Sequence, residues 1–233
     1  MSIDPATSLG DLAIEDPRRT QIFADFGLDY CCNGHMSLAE AVAALKLDLA
    51  DVATALNLPG PAPINTAQAR EHSTLAHDII DTHHAYMWQE MPRLQDLVDK
   101  VAAVHGQAHP GLGEVRDTYR AAIAALDPHM TMEERVVFPA ISRMEKTQTP
   151  ASETSFAQPI AQLRDEHEEV GRLFAKLREL TSGYEVPKDA CASYTLMLQG
   201  LAHMERDLHE HIHKENNILF PRVLELEQEI HGR

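Results

Sequence analysis

A histidine followed four residues later by a glutamate occurs twice in the same surroundings, at His129/Glu133 and at His211/Glu215. Each Glu is followed by an apolar pair and then Phe-Pro: Val136-Val137-Phe138-Pro139 in one case, Ile218-Leu219-Phe220-Pro221 in the other. On a helix, residues four apart share one face, about one turn apart. Each pair can therefore aim an imidazole and a carboxylate at one point. Such nitrogen and oxygen donors are ligands for a borderline metal ion. A shared apolar sequel argues against two coincidental surface pairs. It points instead to two helices that bring the same reach to one buried centre, with their Phe and apolar pair anchored in the core.

Four long helices are expected to do the positioning, at 72–105, 112–145, 157–182 and 187–229, with Gly and Pro gathered in the gaps. Long helices with short loops make an up-down-up-down bundle. Pro92, Pro128, Pro139 and Pro221 predict kinks or local breaks. At 1.5 Å per residue, His129 and Glu133 lie roughly 25–31 Å from the start of their helix. Partners at that height fall near residues 84–88 of the first helix and near 169 of the third, where His83, His84 and His167 stand. Only one of His83 and His84 can face the core of an α-helix. The stripe through Ile80, Met87 and Met91 selects His84. His105, 21 residues beyond His84, lies roughly 31 Å too far along the helix. His209 and His213, two residues either side of His211, point away from it and are expected to be exposed. His35, His72, His77, His109, His203 and His231 have no place in the site.

The resulting set is His84, His129, His167 and His211 with Glu133 and Glu215. It suits two metal ions with the carboxylates between them. With no thiolate in the set, a structural zinc or an iron–sulfur cluster is disfavoured, and non-haem iron or manganese fits. The Glu-x-x-His signature of ferritin-like bundles is absent from it.

Before the bundle, the first sixty residues read as short helices. Asp16 and Pro17 open one that Gly27 closes; Ser37 and Glu40 form a capping box; Asp48 caps a stretch that stops at Pro59. Between them Asp29-Tyr30-Cys31-Cys32-Asn33-Gly34 has turn composition. The stretch PGPAPINTAQ (59–68) reads as a linker. The expected organisation is all-α: a small helical N-terminal domain over 1–58, a linker over 59–70 and a four-helix bundle over 71–233.

A formal net charge of −16, with no basic patch, disfavours nucleic acid and anionic membranes. The N-terminus has neither the basic nor the apolar region of a signal peptide. No apolar run approaches the roughly 18–20 residues of a membrane span. Three cysteines build no disulfide framework, so a reducing cytoplasm is the expected location. Cys31 and Cys32 can be small buried core residues or reactive thiols. No Lys, Arg or helix start adjoins them in sequence to lower a thiol pKa. Cys191 is expected in the core.

The motif Asp29-Tyr30-Cys31-Cys32-Asn33-Gly34 is followed by His84 before QEMPRL, by His129/Glu133 before VVFP, by His167 closing DEH, and by His211/Glu215 before NNILFP. In this combination the chain resembles, over nearly its full length, the RIC (repair of iron centres) family, whose bundle is hemerythrin-like. The resemblance implies two iron ions in an oxo- and carboxylate-bridged centre. Glu133 and Glu215 would bridge, and His84, His129, His167 and His211 would be terminal ligands. It also gives Cys31 and Cys32 a candidate role in passing iron or in redox or nitric oxide chemistry. Oxygen-carrying hemerythrins use a second histidine on the third helix. Here the positions one turn from His167 are Leu163 and Gly171, which leaves coordination open and speaks against dedicated oxygen transport. The implied function is repair of iron–sulfur clusters damaged by nitric oxide or oxidative stress, through supply of iron rather than as an enzyme. The alternatives are a nitric oxide or oxygen binding protein or sensor, and an enzyme that reduces nitric oxide. The implied partners are damaged iron–sulfur proteins or a cluster scaffold, with nitric oxide or oxygen as small ligand.

Overall fold

Short side chains with an oxygen set the starts of most N-terminal helices. In the computed structural model, which describes residues 3–63, 67, 70–149 and 155–232, α1 (Leu9–Glu15) begins where the Ser8 hydroxyl accepts the Asp11 N–H. That helix is not among the sequence expectations. Helix α2 (Arg19–Phe26) ends at Gly27, whose φ of 70° is open to glycine without strain. It starts later than expected, at Arg19, behind a turn in which the Asp16 carboxylate takes the Arg18 backbone N–H and guanidinium. Helix α3 (Leu38–Ala44) has the expected Ser37/Glu40 capping box, and α4 (Leu49–Leu56) is capped by Asp48. Of the expected 59–70 linker, residues 64–66, 68 and 69 lie outside the described residues, as do residues 150–154 in the gap before the third bundle helix.

Four bundle helices follow. The first joins His72–Ile79, a π turn at Ile80–His84, and Ala85–His105. The second joins Leu112–Met132, a π turn at Glu133–Val137, and Phe138–Thr147. The third is Ala157–Leu180. The fourth joins Ala192–His213, a π turn at Lys214–Leu219, and Phe220–His231. The first and third helices each pack on the second and the fourth, which closes an up-down-up-down ring. No β-strand forms among the described residues.

The π turns are not among the expectations, which are kinks or local breaks at the prolines. Phe138 N–H bonds to Glu133 O and Phe220 N–H to Glu215 O, each five residues back. Pro139 and Pro221 come next. A proline ring crowds the carbonyl four residues before it and offers no N–H to it. The widened turn moves that carbonyl, so the helix continues. Helical structure also runs without a break through Pro92 and Pro128. In the first helix the π turn ends on His84, with Ala85 N–H bonded to Ile80 O. The wider turn brings two successive residues inward, so His83 (3% exposed) and His84 (0%) are both buried, against the expectation of one. In the second, Val136 is turned outward at 55% exposure, and Val137 and Phe138 alone anchor the turn.

The apolar interior falls into two blocks. One contains Met87, Leu94, Leu126, Phe174 and Leu201 and extends into the N-terminal helices through Leu12, Phe23 and Leu38. The other contains Ile79, Phe138, Ile141, Leu163, Phe220 and Val223. The break in each bundle helix falls at 84, 129–133, 167 and 211–215, where the polar side chains sit.

The first bundle helix has its N-terminus capped from outside. Glu145, on the second, accepts the backbone N–H groups of His72 (2.7 Å) and Ser73 (3.0 Å). Partial burial raises its carboxyl pKa, but these bonds from Ser73 and His72 outweigh that and hold it at about 2. The carboxyl is thus lower in the folded chain than in the unfolded one. Its stabilisation is complete above the unfolded value of 4.5 and is lost as pH falls towards 2. Glu145→Gln is expected to cost about 1 kcal/mol at neutral pH and less at pH 3, measured by denaturant unfolding.

Candidate metal centre

Six side chains from four helices meet between the two apolar blocks, each 0–3% exposed. They are the six selected from sequence. His84, Glu133, His211 and Glu215 each bring a ligand atom within 4.8 Å of the others, and so do His129, Glu133, His167 and Glu215. The two groups share both glutamates. Glu133 Oε2 stands 3.4 Å from His84 Nε2 and from His129 Nε2. Glu215 spans the groups with different oxygens: Oε1 is 3.0 Å from His211 Nε2, and Oε2 is 3.0 Å from His167 Nε2. The imidazoles face each other in pairs, with Nε2–Nε2 distances of 3.1 Å for His84/His211 and 3.0 Å for His129/His167.

Their outer nitrogens explain which atom faces inward. His84 Nδ1 meets Glu134 Oε1 at 3.0 Å, His129 Nδ1 meets Glu166 Oε2 at 2.8 Å, and His167 Nδ1 meets Asn216 Oδ1 at 3.0 Å. These acceptors take the Nδ1 proton, which leaves the Nε2 lone pair pointing inward. Glu134 is itself held by the Trp88 indole N–H at 2.8 Å. Among the described residues His211 Nδ1 has no hydrogen-bond partner, nor do either oxygen of Glu133 or Oε2 of Glu215. Lone pairs and carboxylates are thus gathered in a dry interior without donors, which is costly unless cations sit among them. Each of the two groups is able to hold a metal ion.

The sequence did not single out Glu134, Glu166 and Asn216. Each adjoins a selected residue, but neighbours on an α-helix point apart, so spacing gave no reason to pair them. His83 was also missed. Its ring stacks on His211 at 5.6 Å, nearly parallel, and its Nδ1 meets Asp207 Oδ1 at 3.0 Å. His105 lies outside the centre, as the height argument requires.

The outward face of the fourth helix corrects another expectation. His213 is 7% exposed, and His209 is largely covered. Tyr30 packs on both rings, with centroids at 5.4 and 6.3 Å, because the N-terminal helices dock there. Burial pushes the His213 imidazole down to about 4. The docking runs through the fourth helix's π turn. Asn216 Nδ2 donates to Cys31 O at 3.3 Å, and Asn217 Nδ2 donates to the carbonyls of Tyr30 and Cys31 at 3.2 Å each. A Cβ on Gly34 would run into the Asn217 side-chain oxygen and Tyr30 O. Gly34→Ala is therefore expected to destabilise by about 1–3 kcal/mol, read from the denaturation midpoint, and to raise protease cutting at residues 29–34.

Cys31 and Cys32 have free thiols, their sulfurs 3.9 Å apart. Asp29 Oδ1 accepts the N–H groups of both and the Cys31 thiol at 3.1 Å. The contact with Cys32, then burial, push the Cys31 thiol well up, so it is protonated at neutral pH. Cys191, expected in the core, is exposed, because the fourth helix starts later than expected and Cys191 stands at its N-cap position.

Residues 75–223 match the family model described as Hemerythrin HHE cation binding domain. Residues 5–59 match ScdA_N, described as a Domain of Unknown function (DUF542). The chain is 32% identical over 214 residues to the iron-sulfur cluster repair protein ScdA of Staphylococcus haemolyticus (strain JCSC1435), covering 91% of this chain and 95% of the relative. It is also 32% identical over 219 residues to the iron-sulfur cluster repair protein YtfE of Pectobacterium carotovorum subsp. carotovorum (strain PC1), covering 93% and 96%. The YtfE protein of Yersinia pestis (strain Pestoides F) is equally similar, at 32% over 219 residues. With an ScdA_N segment ahead of a four-helix bundle that gathers His and Glu side chains at its centre, the chain belongs to the hemerythrin HHE family and, within it, to the ScdA/YtfE proteins.

Proposed function

We propose that this protein repairs damaged iron–sulfur clusters in other proteins by supplying iron from a two-iron store in its bundle. The repair names of its full-length relatives support this reading. The observation that carries it is the donor set. Each cation would be held by two imidazoles and a share of two carboxylates, namely His84 and His211 on one side, His129 and His167 on the other, with Glu133 and Glu215 between. So few protein donors hold iron without enclosing it. They also leave positions that nitric oxide or oxygen can take. No thiolate belongs to the set, which favours iron in the nitrogen and oxygen environment of a non-haem site.

The protein's own groups do the positioning. Glu134, Glu166 and Asn216 hold three imidazoles by Nδ1, and the flanking apolar blocks exclude bulk water. Residues 1–58 form a cap on residues 71–233, joined by the 59–70 linker. The cap places Cys31 and Cys32 beside the π turn that bears Glu215, where thiols could receive or relay iron. Three free cysteines fit a reducing cytoplasm. Among the described residues no helix is long and apolar enough to cross a membrane.

The test uses an iron–sulfur enzyme inactivated with nitric oxide or peroxide. Recovery with iron-loaded protein is expected to exceed recovery with an equal amount of free iron, and to fall to the free-iron level with His129→Ala. Equal recovery with free iron alone would sink the proposal.

A further inference from the structure

The end of the bundle far from the metal centre carries a second cluster that the repair function does not use. Cys191 Sγ lies 3.1 Å from His105 Nε2, and both are accessible to solvent. The two come from opposite ends of adjacent antiparallel helices. Cys191 is the N-cap residue of the 22-residue segment Ala192–His213, at the electropositive end of a helix. His105 closes Ala85–His105, at the electronegative end of its neighbour. Both helix ends therefore favour a proton moving from sulfur to imidazole. The ring of Tyr194 packs on His105 at 5.4 Å and on His109 at 5.6 Å, and His109 is tied to Asp189 at 2.9 Å. These contacts frame the imidazole beside the thiol.

We propose that Cys191, paired with His105, is a thiolation site that exchanges with low-molecular-weight disulfides of the glutathione class. Cys191 gives its proton to His105 Nε2, and the thiolate attacks one sulfur of the small disulfide. The new sulfur–sulfur bond forms as the old one breaks. The departing thiolate takes the proton from His105. One small disulfide is consumed, one small thiol is released, the Cys191 sulfur is oxidised and the departing sulfur is reduced. The direction of the thiol's own shift agrees: the Tyr194 backbone N–H, then His105, hold it below its ordinary value. Cys31, buried and pushed the other way, is the internal contrast. The charged or titratable groups facing Cys191 are His105 and His109 from the first bundle helix, and Asp189 and Tyr194 from its own segment.

The experiment treats the full chain with glutathione disulfide and maps the adduct by peptide mass spectrometry, with the rate followed from pH 5 to 9. The adduct is expected at Cys191 ahead of Cys31 and Cys32. His105→Asn is expected to slow it roughly ten-fold at neutral pH and to move the inflection of the pH–rate curve upward. His109→Asn, which leaves the Cys191–His105 contact in place, is the folding and local-charge control and is expected to keep most of the rate. The proposal is overturned if Cys191 reacts no faster than a Cys191 peptide in denaturant, or if His105→Asn keeps the wild-type rate and inflection.

Discussion

Glu215→Gln is expected to leave the protein with at most one metal ion per chain. The two oxygens of Glu215 serve different halves of the centre, Oε1 beside His211 and Oε2 beside His167, each at 3.0 Å. An amide keeps the shape but removes the negative charge. It also turns one ligand oxygen into an N–H donor. Replacing an outer partner of a metal ligand typically costs 10–100-fold in metal affinity, so losing a shared inner carboxylate should exceed about 100-fold. Asn216→Ala, which frees the outer nitrogen of His167 and the Cys31 carbonyl but removes no inner donor, should stay within that lower range. Metal analysis with the visible spectrum, on wild type and both variants after equal dialysis, separates the cases. Two ions retained by Glu215→Gln would remove this carboxylate from the centre.

Stripping the metal is expected to produce the largest fall in thermal stability. The centre gathers two buried carboxylates and four imidazole lone pairs with almost no donors, an arrangement that suits the folded chain only when cations occupy it. An ion that binds the folded state alone, present at a thousand times its dissociation constant, contributes about 4 kcal/mol. For a chain of this size each kcal/mol is worth about 2–4 °C, so the midpoint should drop by roughly 8–16 °C on chelation. It should recover when iron returns. Scanning calorimetry on as-purified, chelated and reloaded protein makes the measurement. A midpoint that does not move after verified removal of the metal contradicts the electrostatic argument.

The convergence of the six side chains was legible, because the duplicated His-x-x-x-Glu pointed to two helices and the rise per residue gave the height on the other two. The sequence carried His83 badly. The choice between His83 and His84 assumed 3.6 residues per turn, and the chain departs from that period in three of its four bundle helices where the ligands sit. Prolines at 139 and 221 predict kinks or local breaks, and each follows a widened turn that their presence alone does not specify. His209 and His213 were misplaced for a different reason: helical periodicity says which face a residue is on, not what covers that face. Here the cover is Tyr30, some 180 residues away in sequence. The Glu145 cap on the first bundle helix is hidden likewise, since donor and acceptor lie 73 residues apart.

Asn216 has one amide and two obligations. Its nitrogen holds the Cys31 carbonyl of the N-terminal cap, and its oxygen holds His167. A hinge that lifted the cap would therefore pull on a metal ligand's tether, and a metal ion that settled His167 would steady the cap. Because free-energy coupling is reciprocal, anything that undocked the N-terminal helices would lower metal affinity by the same factor by which a bound metal tightened the docking. Under the proposed iron supply, a damaged client that drew the N-terminal helices towards itself would loosen the store at the moment of delivery.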